Sequence, residues 1–349
     1  MAAMDRRTFL SAAAAPAAPA LGTVASAAAP VRIGIDLFSI RSSAWSPFEY
    51  LDYCSRLGAK VVHFSEIRFL GGLEPEHLKK VRAHADRLGI EVEVGMRSIC
   101  PSSKAFDPKQ GTAEEQLERM IPVAKTLGSP IIRAFLGTSA DRGGPVPIEG
   151  HIENTVKVLR AVRSRVSGAG LKVAVENHAG DMQARELKTL IEAAGKDFVG
   201  ACIDSGNPLW AIEDPHLTLE TLAPYAVTSH VRDSAVWRTP EGAAVQWVRT
   251  GDGNVGIERW LRRFAELCPG LAVTAEVLVL NARKYNFLDP KFWDAYRATP
   301  AWEFSRFLAL AEKGQPRPDF PKVPKEEAPQ REREDLEASV RFTRRILSI

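Results

Sequence analysis

From Val31 onward, short runs of β-branched and other apolar residues alternate with longer stretches in which apolar residues recur at three- and four-residue steps. The short runs predict eight strands: Val31 to Leu37, Lys60 to Glu66, Glu91 to Met96, Ile131 to Leu136, Leu171 to Glu176, Val199 to Asp204, Val227 to Val231 and Ala272 to Val277. The stretches that follow them predict helices at Pro47 to Leu57, Pro75 to Leu88, Thr112 to Leu127, Ile152 to Val166, Ala184 to Ala194, Leu217 to Leu222, Ile257 to Leu267 and Ala301 to Glu312. Pro47 and Pro75 suit a first helical turn, and Gly58, Gly89 and Gly128 fall where a helix ends in a left-handed residue. Val31 to Gly314 thus divides into eight units of about 35 residues, the size expected of a parallel (β/α)8 TIM barrel, an α/β fold. An open doubly wound sheet would alternate in the same way. Its dinucleotide-binding form carries a glycine-rich turn after the first strand, however, and Leu37-Phe38-Ser39-Ile40-Arg41-Ser42-Ser43 has no glycine.

Beyond Gly314, the segment Gln315 to Pro324 is too rich in proline for regular structure and reads as a strap. A final amphipathic helix, about Arg331 to Leu347, puts Leu336, Val340, Thr343 and Leu347 on one stripe that could pack on the barrel or on a second copy of the chain. At the other end, Met1 to Pro30 has the layout of a twin-arginine signal peptide. Arg6 and Arg7 precede a weakly apolar, alanine-rich run, and Ala25-Ser26-Ala27 supplies the small residues of a cleavage site. Export to the periplasm is the expectation, with no stable membrane span because Pro16 and Pro19 interrupt the run. The four cysteines, Cys54, Cys100, Cys202 and Cys268, have no close spacing, and buried free thiols are expected in place of disulfides. With 46 basic residues against 43 acidic ones, mixed along the chain, electrostatics gives no reason to expect a nucleic-acid partner.

Reactive groups of a parallel barrel lie at the C-terminal ends of its strands, where the βα loops meet. Strand five ends in Glu176-Asn177-His178, strand six in Asp204, strand seven in His230-Val231-Arg232-Asp233 and strand eight in Glu276. An ionised carboxylate after an apolar run is costly unless paired. Three of them with one histidine therefore ask for a shared divalent cation. The oxygen-rich set favours Mn2+ or Mg2+, with Co2+ as a further candidate, over the sulfur-rich or three-histidine sites typical of zinc. The plainer alternative is that these are separate strand-end acids, solvated or paired with nearby arginines.

Glu176-Asn177-His178, Asp204-Ser205-Gly206-Asn207, His230-Val231-Arg232-Asp233, Gly251-Asp252-Gly253 and Glu276 resemble the xylose isomerase-like TIM barrel superfamily of sugar isomerases and epimerases over about Val31 to Gly314. The resemblance implies that Glu176, Asp204, His230 and Glu276 hold a divalent metal, usually Mn2+, and that the two glutamates also move protons. It implies chemistry next to a carbonyl of a keto-sugar or sugar derivative: a metal that chelates the carbonyl and a neighbouring hydroxyl makes the intervening C–H acidic. Return of the proton gives an epimer or isomer, and loss of a β-substituent gives elimination. A lyase that expels the aglycone of a 3-keto-glycoside is therefore the close competitor, and a catalytically silent carbohydrate-binding barrel is a third reading. The superfamily also contains nucleases, but these need more histidine ligands and a basic groove, and the seven histidines here are scattered.

Further candidates for sugar contact are His178, Arg232, Asn207 and Glu66, with His63, Arg97, Arg133 and Trp210 as wall residues. Asn207 departs from the pattern, because ketose epimerases commonly carry a histidine there. Asp233 and Asp252 read as loop-shaping groups. The aromatic cluster of Phe287, Phe292, Trp293 and Trp302 could form a lid, though core packing is the default for aromatics at that density.

Overall fold

In the computed structural model, residues 31–349 are described, so the expected leader lies outside the described residues. Strands β1 (Arg32–Asp36), β2 (Val61–Phe64), β3 (Glu91–Ser98), β4 (Ile131–Phe135), β5 (Lys172–Glu176), β6 (Val199–Asp204) and β7 (Ala226–His230) run parallel, each hydrogen-bonded to the next. The chain then leaves the ring as an antiparallel hairpin, β8 (Asp233–Thr239) and β9 (Gly242–Val248), and re-enters it as β10 (Ala272–Ala275) beside β1. The ring is nearly closed. Between β7 and β10 a parallel bridge at Val231 and Ala275 spans the seam, with the Val231 amide donating to the Thr274 carbonyl at 2.7 Å. The Ser229 hydroxyl adds a bond to the Ala272 carbonyl at 2.8 Å.

Helices cover the outside: α1 (Pro47–Arg56), α2 (Pro75–Leu88), α3 (Ala113–Leu127), the single turn α4 (Ser139–Arg142), α5 (Ile148–Gly168), α6 (Ala184–Ala194), α7 (Pro215–Leu222), α8 (Ile257–Leu267), α9 (Ala301–Lys313) and α10 (Ala328–Leu347). Capping boxes at Ser46/Glu49 and Thr112/Glu115 start α1 and α3 by satisfying amides that have no partner within the helix. The main apolar core is the layer between strands and helices, where Leu51, Val62, Leu117, Val173, Leu187 and Phe264 are inaccessible to solvent. All four cysteines are buried free thiols. Among the described residues, no helix is long and apolar enough to cross a membrane.

Three expectations change. The stretch between Ser234 and Gly256, to which the sequence pattern assigns no element, contains the β8–β9 hairpin, and β11 (Arg283–Tyr285) adds to it as a third strand. The helix expected to close the eighth unit, Ala301 to Glu312, instead covers this small sheet, burying Phe307 and Ala311 with Val236 and Val245. The place of the eighth barrel helix is taken by α10, between α8 and α1. Leu336, Val340 and Ile346 there join the main core, Tyr53 bonds Glu337 at 3.0 Å, and Arg344 reaches the Leu57 carbonyl at 3.2 Å. Gly314 therefore does not separate a barrel from an appendage. The proline-rich strap crosses the other face of the small sheet, where Phe320 packs with Trp237 and Ala244.

Candidate active site

Alternation along the strands turns Asp36, His63, Glu93, Arg133, Glu176, Asp204 and His230 into the ring, and all are buried. With Glu276, just beyond β10, and Arg232, just beyond β7, the axis holds five carboxyl groups (Asp36, Glu93, Glu176, Asp204 and Glu276) against two guanidinia. Ionising all five together would leave buried negative charge in excess, which protons or a cation must offset.

The four predicted ligands converge. One donor atom from each of Glu176, Asp204, His230 and Glu276 lies within 4.8 Å of the others. His230 Nδ1 stands 3.0 Å from Glu176 Oε2 and 2.9 Å from Glu276 Oε2. Asp204 Oδ1 accepts the Gly206 and Asn207 amides at 2.7 and 2.6 Å, leaving Oδ2 aimed at Arg232 Nη2, 2.8 Å away. Arg232 Nη2 also contacts Glu276 Oε2. Arg133 clamps Glu176 Oε2 through Nε at 2.6 Å and Nη2 at 2.5 Å, and Asn207 donates to Glu176 Oε1 at 3.0 Å. Both arginines thus pair with the strand-end acids, as the plainer alternative anticipated, but the acids remain in excess.

The donors fit a divalent metal ion. His230 Nδ1 and Asp204 Oδ2 are buried, and their only polar neighbours are the ionisable groups of the cluster itself, at 2.8 to 3.0 Å and with none aligned as a hydrogen bond. Burial pushes the Asp204 carboxyl up to about 7, and Arg232 only partly offsets it. Burial would lower His230, but the surrounding Cys202, Glu176 and Glu276 carry it well above the usual imidazole range. Glu176 and Glu276 are pulled the other way. Burial would raise both, yet Arg133 and His230 hold Glu176 well below the carboxylate range, and Arg232 and His230 bring Glu276 to about 2. Cys202 Sγ is 4.0 Å from Glu176 Oε2, but burial pushes its thiol up to about 12.

Above these groups opens a cavity of about 280 Å3, a size that suits one small ring better than a chain of them. Glu276, His178, Asn207, Arg232 and Trp210 line it. The His178 ring stacks on Phe135 at 3.8 Å and bonds the Gly137 carbonyl through Nδ1 at 2.7 Å; burial brings its pKa to about 4, so it is neutral. Trp210 stacks on Trp247 from β9 at 3.7 Å, and the Arg232 guanidinium lies 4.4 Å over Trp247.

Several candidates sit elsewhere. Glu66 is not brought to the cluster: it pairs with Arg68 at 2.5 Å beside a neighbouring cavity. His63 and Arg133 lie inside the ring below the cavity, not in its wall. Asp233 shapes a loop, accepting the Gly251 and Gly253 amides at 2.9 and 3.0 Å. Phe287 packs in the small sheet's core, whereas Trp302 is largely exposed. Sequence reasoning missed Trp247, Phe38, Arg41 and Leu278 as lining residues.

A family model described as xylose isomerase-like TIM barrel matches residues 51–284, two thirds of the chain. The chain belongs to this family. Among curated proteins, this family member is similar to a 3-oxo-isoapionate decarboxylase from Pectobacterium atrosepticum, 25% identical over 188 residues, which cover 54% of this chain and 61% of that protein. The chain thus spans about three fifths of the length of that relative. Among solved structures, it is similar to D-psicose 3-epimerase from Clostridium cellulolyticum H10, with a TM-score of 0.59 at 14% identity, covering 91% of this chain and 99% of that one. It is similar also to a protein named IolI, solved with a bound zinc atom, with a TM-score of 0.56 at 14% identity, covering 91% and 100%. At such identities the likeness to these two structures is one of fold.

Proposed function

We propose that the chain is a metal-dependent enzyme that removes a proton next to the carbonyl of a keto-sugar or related sugar derivative, as a sugar isomerase or epimerase does. One observation carries the reading: three buried carboxyl groups and one imidazole nitrogen converge within 4.8 Å of one another at the floor of a cavity sized for one sugar ring. Glu176, Asp204, His230 and Glu276 would hold the ion, Mn2+ before Mg2+ or Co2+. Bound there, it would draw charge from a chelated carbonyl and acidify the neighbouring C–H.

The chain's own groups divide the remaining work. Glu276 faces the cavity and takes the proton. Glu176, held by Arg133 and Asn207, stays ionised as a ligand. Neutral His178 and Asn207 offer hydrogen bonds to hydroxyls, and the stacked tryptophans offer the apolar face of a sugar ring a partner. Export to the periplasm, proposed from Arg6-Arg7 and the run after it, would place the reaction outside the cytoplasm.

A lyase is the second reading, and the same geometry favours it. Of the two glutamates only Glu276 lines the cavity, and one base suffices for elimination, whereas inversion at carbon calls for a group on each face. The decarboxylase among the relatives bears a name whose chemistry also leaves charge next to a carbonyl.

The test is a screen of Mn2+-loaded protein against free keto-sugars and 3-keto-glycosides in deuterated water. Deuterium should enter the carbon beside the carbonyl, and Glu276→Gln should slow the exchange by about 10²- to 10⁴-fold. Release of an aglycone without isomerised sugar selects the lyase. Bound Mn2+ and bound sugar with neither exchange nor release would leave a silent carbohydrate-binding barrel.

A further inference from the structure

The cavity over the four ligands is bounded by the loops after β1, β5, β6, β7 and β10. On the same face of the barrel, the end of β3, the loops after β2 and β3 and the first turns of α3 enclose a second and larger cavity of about 480 Å3. The two share a wall. Phe38 lines the first cavity, and the guanidinium of Arg68, which lines the second, lies 6.0 Å from its ring. Arg68 also donates to the carbonyl of Arg41, another residue of the first cavity, at 3.5 Å. Deeper in, the Met96 carbonyl at the second cavity accepts from Arg133, the clamp on Glu176, at 3.3 Å.

The lining chemistry is cationic on an apolar base. Ile67 and Met96 give apolar surface, and Arg68, Arg97 and Arg119 give charge. Arg68 is neutralised by Glu66, and Asp107 is turned to its own turn, accepting the Lys109 amide at 3.1 Å. Arg119 spends one donor on the Gln110 carbonyl at 2.8 Å and keeps the rest. Arg97 is exposed, and its side chain makes no hydrogen bond or ion pair among the described residues. Two planar guanidinia with free donors lining one cavity are suited to an oxyanion.

We propose that this second cavity binds an oxyanion, a carboxylate or a phosphate, carried by the substrate at the end of the molecule away from the reacting carbonyl, with Arg97 and Arg119 as its partners. The inference rests on the reading of the first cavity as the sugar site, and it narrows the substrate from sugars in general to acidic ones.

Isothermal titration of the full chain with D-gluconate, D-glucose 6-phosphate and D-glucose, with and without Mn2+, tests it. At least one anion should bind about tenfold more tightly than glucose. The double variant Arg97→Ala, Arg119→Ala should bring that anion down to the level of glucose while Mn2+ uptake, followed by equilibrium dialysis, stays unchanged. Which anion is preferred tells a sugar acid from a sugar phosphate. Equal binding of all three probes, or a preference that survives in the double variant, overturns the proposal. If the chain takes up no Mn2+ while the anion preference and its loss in the variant hold, the metal reading fails and the anion cavity stands.

Discussion

His230 presents its two ring nitrogens to different neighbours, and that division decides whether it can serve as a ligand. Nδ1 faces Glu176 and Glu276, while Nε2 lies 2.9 Å from His63 Nδ1. For Nδ1 to offer a lone pair, the proton must sit on Nε2, and His63 is suited to accept it there. Burial and the charges of His230 and Arg133 push His63 well below the usual imidazole range, so it stays neutral. His63→Ala should therefore weaken Mn2+ binding by about 10- to 100-fold in equilibrium dialysis, with His63→Gln restoring part of it through its side-chain carbonyl. Unchanged affinity in His63→Ala would remove His63 from the site's support. Gly206 is a second residue whose chemistry is positional. A Cβ there would come within 2.1 Å of Arg232 Cγ, so only glycine lets Arg232 pass to Asp204 and Glu276. Gly206→Ala should cost about 1–3 kcal/mol in denaturant unfolding. Much of that loss should vanish when Arg232→Ala is already present, a coupling that a double-mutant cycle reads directly.

At the scale of elements, α10 decides how far the fold extends. Its buried Leu336 lies in the main core, so Leu336→Ala should destabilise the chain by about 2–5 kcal/mol in urea unfolding, far more than a substitution on a detachable tail. A loss under about 0.5 kcal/mol would return α10 to the status of an appendage. The apolar stripe of α10 was plain in the sequence, but not which groove it fills, because α9 precedes it with an equally good stripe and short connections make the nearer helix the natural choice. The barrel strands were readable for the opposite reason: runs such as Val61-Val62 and Val173-Ala174-Val175, buried on both faces, admit few other uses. The hairpin hid behind Ala235, Ala243 and Ala244, which carry little strand preference, and behind burial on both faces, which leaves no apolar–polar alternation to read. Glu176, Asp204, His230 and Glu276 could be found because each ends a barrel strand or directly follows one. The clamp by Arg133 could not, since it depends on the β4–β5 register that sets Phe135 beside Glu176.

Across the whole molecule, the excess of buried acid ties stability to pH and to the cation together. Asp204 has its folded pKa raised by burial to about 7 from the unfolded value near 3.8. Its protonated form therefore contributes stability that is fully present below that unfolded value and lost as pH rises through about 7. His230, also raised, loses its contribution in the same direction. Glu93, at about 7, and Glu213, at about 8, are raised by burial too, but neither is a ligand, so their losses fall alike on the metal-free and loaded chains and cancel in the difference. Glu176 and Glu276, both lowered, are ionised throughout this window and add no slope. A cation held by Asp204 and His230, as proposed, would replace their protons and remove the penalty of ionising them in a buried site. The rise in melting temperature on adding Mn2+ should thus be larger at about pH 8 than at about pH 6, by about 2 °C or more for each tenfold gain in apparent affinity. Calorimetry in buffers of different ionisation enthalpy should show proton release on binding at the lower pH. A shift that is flat or falling between those two pH values, with no proton released, would mean that the cation does not occupy the place those protons hold.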